Sequence, residues 1–80
     1  MTSKELLEAL MPKEFQVVVM VRLGISNKQI AEHMGLSQHT IRKHYLTHIY
    51  RKLGLIGVSK LKRLELIKMM NEVKGSFINV

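Results

Sequence analysis

Apolar residues recur at helical spacing along almost the whole chain, interrupted by isolated glycines. "TSKE" at 2–5 fits a capping box, Thr2 with Glu5, and Leu6, Leu7 and Leu10 follow it, so a short lead-in helix is predicted. Pro12 suits the first turn of the next helix, where a missing N–H costs nothing. That helix is predicted to run to about Leu23 and stop at Gly24. Val17, Val18, Met20 and Val21 make it apolar on more than one face, which predicts burial. "SNKQ" at 26–29 is a second capping box, Ser26 with Gln29, opening a short helix with Ile30, Ala31 and Met34. Gly35 ends that helix, and Ser37 can cap the next, which should last to Leu53 before Gly54. Ile41, Tyr45, Ile49 and Leu53, four apart, are its predicted inward stripe. Gly57 and Ser59 set up a last helix at roughly 60–73. Its stripe is Leu61, Leu64, Ile67, Met70 and Val73, with Leu66 and Met69 beside it. The tail "GSFINV" has no clear period. With no repeat and no low-complexity tract, residues 1–80 read as a single all-α domain with its core at about 10–73.

Charge placement adds a function to this outline. The net charge is +7, and seven of the thirteen basic residues lie between His33 and Leu64 with no acid among them. They are Arg42, Lys43, Arg51, Lys52, Lys60, Lys62 and Arg63; the six outside are balanced by six acids. Such asymmetry is the footprint of a polyanionic partner. The longest apolar run, Val17 to Val21, is far too short for a bilayer, and Glu5 and Glu8 occupy the place of a signal peptide's apolar segment. A cytoplasmic protein without membrane contact is therefore expected, and the absence of cysteine fits that compartment.

Catalysis and metal binding find little support. Glycines are isolated, so no phosphate-cradling loop is present, and no nucleophile and base pattern stands out. His44 and His48 share a helical face, but a zinc site wants three or four protein ligands. No enzyme, metal or cofactor is expected.

The two helices on either side of Gly35-Leu36 form a helix-turn-helix, with the second as reader. Its N-terminal half offers Gln38, His39, Thr40, Arg42 and Lys43 to base edges, and Thr47 joins these candidates. Tyr50, Arg51 and Lys52 suit phosphates, as do Ser26, Asn27 and Lys28 at the start of the preceding helix. The apolar excess on the last helix (Leu66, Met69, Met70) predicts a partner surface.

These motifs together closely resemble the LuxR-type helix-turn-helix family, also called GerE, FixJ or NarL type. Its leading "L-T-x-R-E" is matched by Leu10, Met11, Pro12, Lys13 and Glu14. Its "G-x-S-N-K-E-I-A" is matched by Gly24 to Ala31, with Gln29 for Glu. Ser37, Thr40, Ile41 and His44 match "S-x-x-T-V-x-x-H", and Ile49, Lys52, Leu53 and Gly54 match "I-x-x-K-L-G". The resemblance covers about Leu10 to Val73. It implies a four-helix DNA-binding domain, here with a short lead-in helix, whose third helix (about 38–53) enters the major groove. The implied activity is sequence-specific transcription regulation on double-stranded DNA. The implied assembly is a homodimer through the last helix, with Leu61, Leu64, Ile67 and Met70 as the pairing candidates; RNA polymerase is a further candidate partner. A sigma-factor-like promoter-recognition module and a module that sequesters related regulators are the alternatives. "IYRKLGL" and the last helix favour the first reading over the sigma-like one, and the retained reader charge argues against pure sequestration. Family members often carry a receiver or sensing domain before this one, so both a stand-alone regulator and an output domain fit.

Two departures bear on the site. Met11 stands where the family has a capping threonine. The family also places three residues between its histidine and the next isoleucine, whereas Tyr45, Leu46, Thr47 and His48 intervene here. One extra residue turns everything after it by about 100°. A π-bulge between Lys43 and Ile49 would absorb it. The four-residue stripe through Tyr45 instead predicts a regular α-helix, with Tyr45 in the packing role of the family histidine and His44 turned to solvent or DNA.

Overall fold

The computed structural model describes residues 2–78, and their side chains as far as Val73. Among the described residues five helices form, in the order α1 (Ser3–Glu8), α2 (Pro12–Arg22), α3 (Asn27–Met34), α4 (38–52) and α5 (Ser59–Ile78). The lead-in helix and the four that follow it are those the apolar pattern predicts. Both capping boxes form: Thr2 accepts from the Glu5 N–H at 3.2 Å, and Ser26 accepts from the Gln29 N–H at 3.2 Å. In each, the Glu5 or Gln29 side chain returns a bond to the capping residue's own N–H.

Met11 has no oxygen with which to cap α2. Glu14 supplies half the motif, its carboxylate accepting the Met11 N–H at 2.8 Å. In the turn of the helix-turn-helix, Gly35 adopts φ 68°, where a Cβ would cost strain, and its N–H closes α3. Ser37 then caps α4 through the Thr40 N–H at 3.1 Å.

The core gathers Leu7, Val17, Val18, Met20, Val21, Ile30 and Ala31 from the first three helices, and Leu10 from the link between α1 and α2. Ile41, Leu46, Ile49, Tyr50 and Leu53 enter it from α4 and the residue after it, and Leu66, Met69, Met70 and Val73 from α5. Helix α5 lies against α2 and α1, while α3 packs on α4. It continues past the predicted end at 73 into the tail segment.

This arrangement corrects the expected partner surface on α5. Leu66, Met69 and Met70 are buried, because α5 packs on two helices and needs a wide apolar arc to do so. Ile67 is half-buried against the same core. The apolar residues left outside are Leu61 and Leu64, at 57% and 55% exposure, with Ile56 and Val58 just before the helix.

The structure also corrects the expectation of a regular reader helix. Within α4, residues Ile41–Leu46 form a π-helical turn, flanked by α-helical Gln38–Thr40 and Thr47–Lys52. The buried residues give the reason. On an unbroken α-helix, Ile41, Leu46, Ile49, Tyr50 and Leu53 would spread over about 180° of the circumference. With one residue taken up in a wide turn, they fall within about 100°. A continuous core contact thus requires the π turn. Tyr45 is left half-buried at the edge of this stripe, and His44 is exposed.

Candidate nucleic-acid interface

The same geometry organises the polar side of α4. Once the turn absorbs a residue, Arg42, Lys43, Thr47 and Arg51 share an arc of about 100° beside the buried stripe. His44, His48 and Lys52 take the opposite flank. Contacts five residues apart mark the widened turn directly. The Thr47 hydroxyl donates to the Arg42 carbonyl at 3.1 Å, and the His39 and His44 rings meet edge-on at 6.4 Å.

The sequence candidates fall into three groups. Gln38, His39, Arg42, Lys43, Arg51 and Lys28 are exposed. Among the described residues, Arg42, Lys43 and Arg51 have no hydrogen-bond or ion-pair partner through their side chains, so their charges are free for a ligand. A second group, which includes Thr47 through its bond to the Arg42 carbonyl, is engaged within the fold. Thr40 receives a bond from the Ser37 hydroxyl at 3.0 Å, Ser26 caps α3, and Asn27 accepts from Arg63 at 2.8 Å. Lys52 is paired with Glu14 at 2.7 Å, which ties the end of the reader helix to the start of α2. Tyr50 forms the third group, because it is core rather than surface. It is buried at 6% exposure, with the Lys62 ammonium 5.1 Å from its ring centroid. Burial pushes its hydroxyl above the ordinary phenol range, only partly offset by the Arg63 charge. Its ring packs in the core and also borders the space between α4 and the start of α5.

Among the described residues, Glu14 is the one buried acid. Burial pulls its carboxyl up, yet the hydrogen bond from Lys52, the Met11 N–H, and the charges of Lys52 and His48 together hold it below the ordinary carboxylate range. The anion is therefore consumed inside the scaffold and does not offset the charge of the exposed face.

Between α4 and the start of α5 lies a cleft of about 390 Å³. Arg42 and Lys43 line one wall and Lys60, Lys62 and Arg63 the other, with Asn27, Thr47 and Ser59 between them and no acid in the lining. Arg63 is anchored, donating to Asn27 and to the Ile25 carbonyl at 2.9 Å, and so locks α5 to the loop before α3. Lys60 is exposed and has no hydrogen-bond or ion-pair partner among the described residues. Lys60, Lys62 and Arg63 belong to the acid-free interval of the sequence. Their nearness to Arg42 depends on the packing of α5, which no local pattern shows.

An apolar hollow of about 520 Å³ opens on the other flank, lined by Met11, Pro12, Lys13, Glu14, His44, Tyr45 and His48. Among the described residues, no three His, Cys, Asp or Glu side chains come together as a metal site would require. Nor is any helix among them long and apolar enough to cross a membrane.

Comparison with known proteins adds to this geometry. The family pattern described as "Bacterial regulatory proteins, luxR family" matches residues 8–64. An HTH-type transcriptional regulator of Mycobacterium tuberculosis is 49% identical over 47 residues, which cover 59% of this chain and 5% of the relative. Nodulation protein W of Bradyrhizobium diazoefficiens is 36% identical over 61 residues, covering 76% of this chain and 26% of the relative. The HTH-type transcriptional regulator GfsR of Streptomyces halstedii is 43% identical over 47 residues, covering 59% and 19%. The chain therefore spans about a quarter or less of these relatives. No solved structure matches.

Proposed function

The chain belongs to the LuxR family of bacterial regulatory proteins, and we propose that it is a DNA-binding transcription regulator that reads an operator with α4 in the major groove. The observation that carries this reading is the exposed arc of α4. Among the described residues, Arg42, Lys43 and Arg51 on it have no hydrogen-bond or ion-pair partner through their side chains, and the buried acid Glu14 is neutralised by Lys52. A helix of this kind fits the major groove, where arginine and lysine donate to guanine edges and glutamine pairs with adenine. Gln38, His39, Arg42 and Lys43 would read bases. Lys28 and Arg51 would hold phosphates, and Lys60 and Lys62 would hold a backbone phosphate in the cleft beside α4.

A homodimer follows from the apolar residues left outside the fold. Leu61 and Leu64 lie one turn apart on α5, next to exposed Ile56 and Val58. Pairing through them would present two reader helices to half-sites about one DNA turn apart. Residues 1–80 would then act as one cytoplasmic DNA-binding unit.

Selection of bound duplexes from a randomised library tests the reading. A recovered motif with two related half-sites is the expected result. Recovery of unenriched sequence would leave only non-specific binding. Co-precipitation of related regulators without DNA retention would favour sequestration instead.

A further inference from the structure

The buried stripe of α4 requires that one residue be absorbed between Ile41 and Leu46, but it does not fix where. Arg42, Lys43, His44 and Tyr45 all lie in that interval, and the backbone could widen at more than one of them. Moving the wide point by a residue would rotate the side chain it passes by about 100° while leaving Ile41 and Leu46 in the core. The place of widening therefore decides how Arg42 and Lys43 are aimed.

One side chain marks that place. A threonine in a regular α-helix returns its hydroxyl to the carbonyl three or four residues back. The Thr47 hydroxyl instead donates to the Arg42 carbonyl, five back, at 3.1 Å. That reach exists only where the helix widens after Arg42, so the bond disfavours a wide point between Ile41 and Arg42. Thr47 is half-buried, with Leu46 in the core on one side of it and the cleft residues Arg42 and Lys43 on the other. The hydroxyl is thus held by the packed part of the helix and acts on the backbone of the exposed part.

We propose that Thr47 is a positioning residue for operator recognition: its bond to the Arg42 carbonyl keeps the wide point of the π turn on the C-terminal side of Arg42 and so sets the aim of Arg42. This rests on the DNA-reading role proposed above. A net hydrogen bond corresponds to a bias of about threefold to tenfold between placements of the turn. A loss of that size is expected in the ratio of specific to non-specific affinity.

The test uses Thr47→Val, which keeps the branched shape without the donor, and Thr47→Ser, which keeps the donor. Both are measured against the selected operator and against scrambled duplex. The expected result is a threefold to tenfold fall in the affinity ratio for T47V and recovery for T47S. In an Arg42→Ala background the effect of T47V should shrink, because the hydroxyl acts through the residue already removed. In the free protein, T47V should also speed amide exchange around residues 46 and 47, which loss of a base contact alone would not do. An undiminished T47V effect in the Arg42→Ala background, with exchange unchanged, would make Thr47 a direct base contact and overturn the proposal. An unchanged affinity ratio in T47V would overturn it as well. Failure of the unsubstituted protein to prefer its selected sequence would instead overturn the DNA-reading role, and this proposal with it.

Discussion

Deleting His44 should leave the protein folded, whereas inserting one alanine after it should unfold it. His44 is exposed, and it lies inside the π turn. Without it, the buried residues Ile41, Leu46, Ile49, Tyr50 and Leu53 follow one another at intervals of four, three, one and three. That is the spacing of one face of an ordinary α-helix. The wide turn would then close to an α turn with the same five side chains in the core. The stability change should stay within about 1 kcal/mol, the scale of one net hydrogen bond. An added alanine has the opposite effect, because the turn already holds one extra residue. The second would rotate everything after it by about 100°. Leu46, Ile49, Tyr50 and Leu53 would leave the core together. At about 1.5–3 kcal/mol for each large apolar side chain, the loss is roughly 6–12 kcal/mol, comparable to the whole stability of a small domain. Urea unfolding followed by far-ultraviolet circular dichroism reads both variants. A deletion variant destabilised by more than about 2 kcal/mol, or an insertion variant with a normal transition, would refute the claim that the turn absorbs register.

Two further outcomes test the scaffold and the assembly. Glu14→Gln should cost about 1 kcal/mol at neutral pH, a charge-assisted hydrogen bond discounted because the Lys52 side chain is 40% exposed. Since the folded carboxyl is held below its ordinary value of 4.5, its contribution is present above that pH and fades as the pH falls through the folded value. The gap between the two proteins in urea titrations should therefore narrow as the pH falls below 4.5, and a gap that stays constant down to acid unfolding would exclude the ion pair as the cause. Leu61→Asp with Leu64→Asp should leave the unfolding midpoint nearly unchanged, since both side chains are largely exposed, but abolish dimer in sedimentation. Identical mass distributions for variant and parent, both dimeric, would move the pairing surface elsewhere.

Local signals were the legible ones. The capping boxes at Thr2–Glu5 and Ser26–Gln29, the left-handed Gly35 and the Ser37 cap each involve residues within a few positions, and all form where the pattern places them. The π turn was present in the sequence too, as the five-residue interval from Ile41 to Leu46. It was masked by Tyr45, which completes a four-residue stripe of its own. Which of the two residues packs depends on α2 and α3, not on α4. Contacts distant in sequence were illegible for the same reason. The Lys52–Glu14 pair spans 38 positions, and Arg63 reaches Asn27 across 36. Only folding reveals that Lys52 is spent while Lys60 is free. Met70 looked surplus because a helix packed on two neighbours buries more than a single stripe.

The most direct test of DNA reading is affinity for the selected operator and for a scrambled duplex of equal length, measured across a salt series. The free charges on α4 and the cleft predict a steep fall of log K against log salt on both duplexes, with a slope of about −0.9 for each phosphate contacted. Arg51→Ala and Lys60→Gln should each make that slope shallower by about 1 on both duplexes alike. Arg42→Ala should instead cost about 1–3 kcal/mol more on the operator than on the scrambled duplex. Affinity that is flat in salt, or equal on the two duplexes before any substitution, would contradict the account.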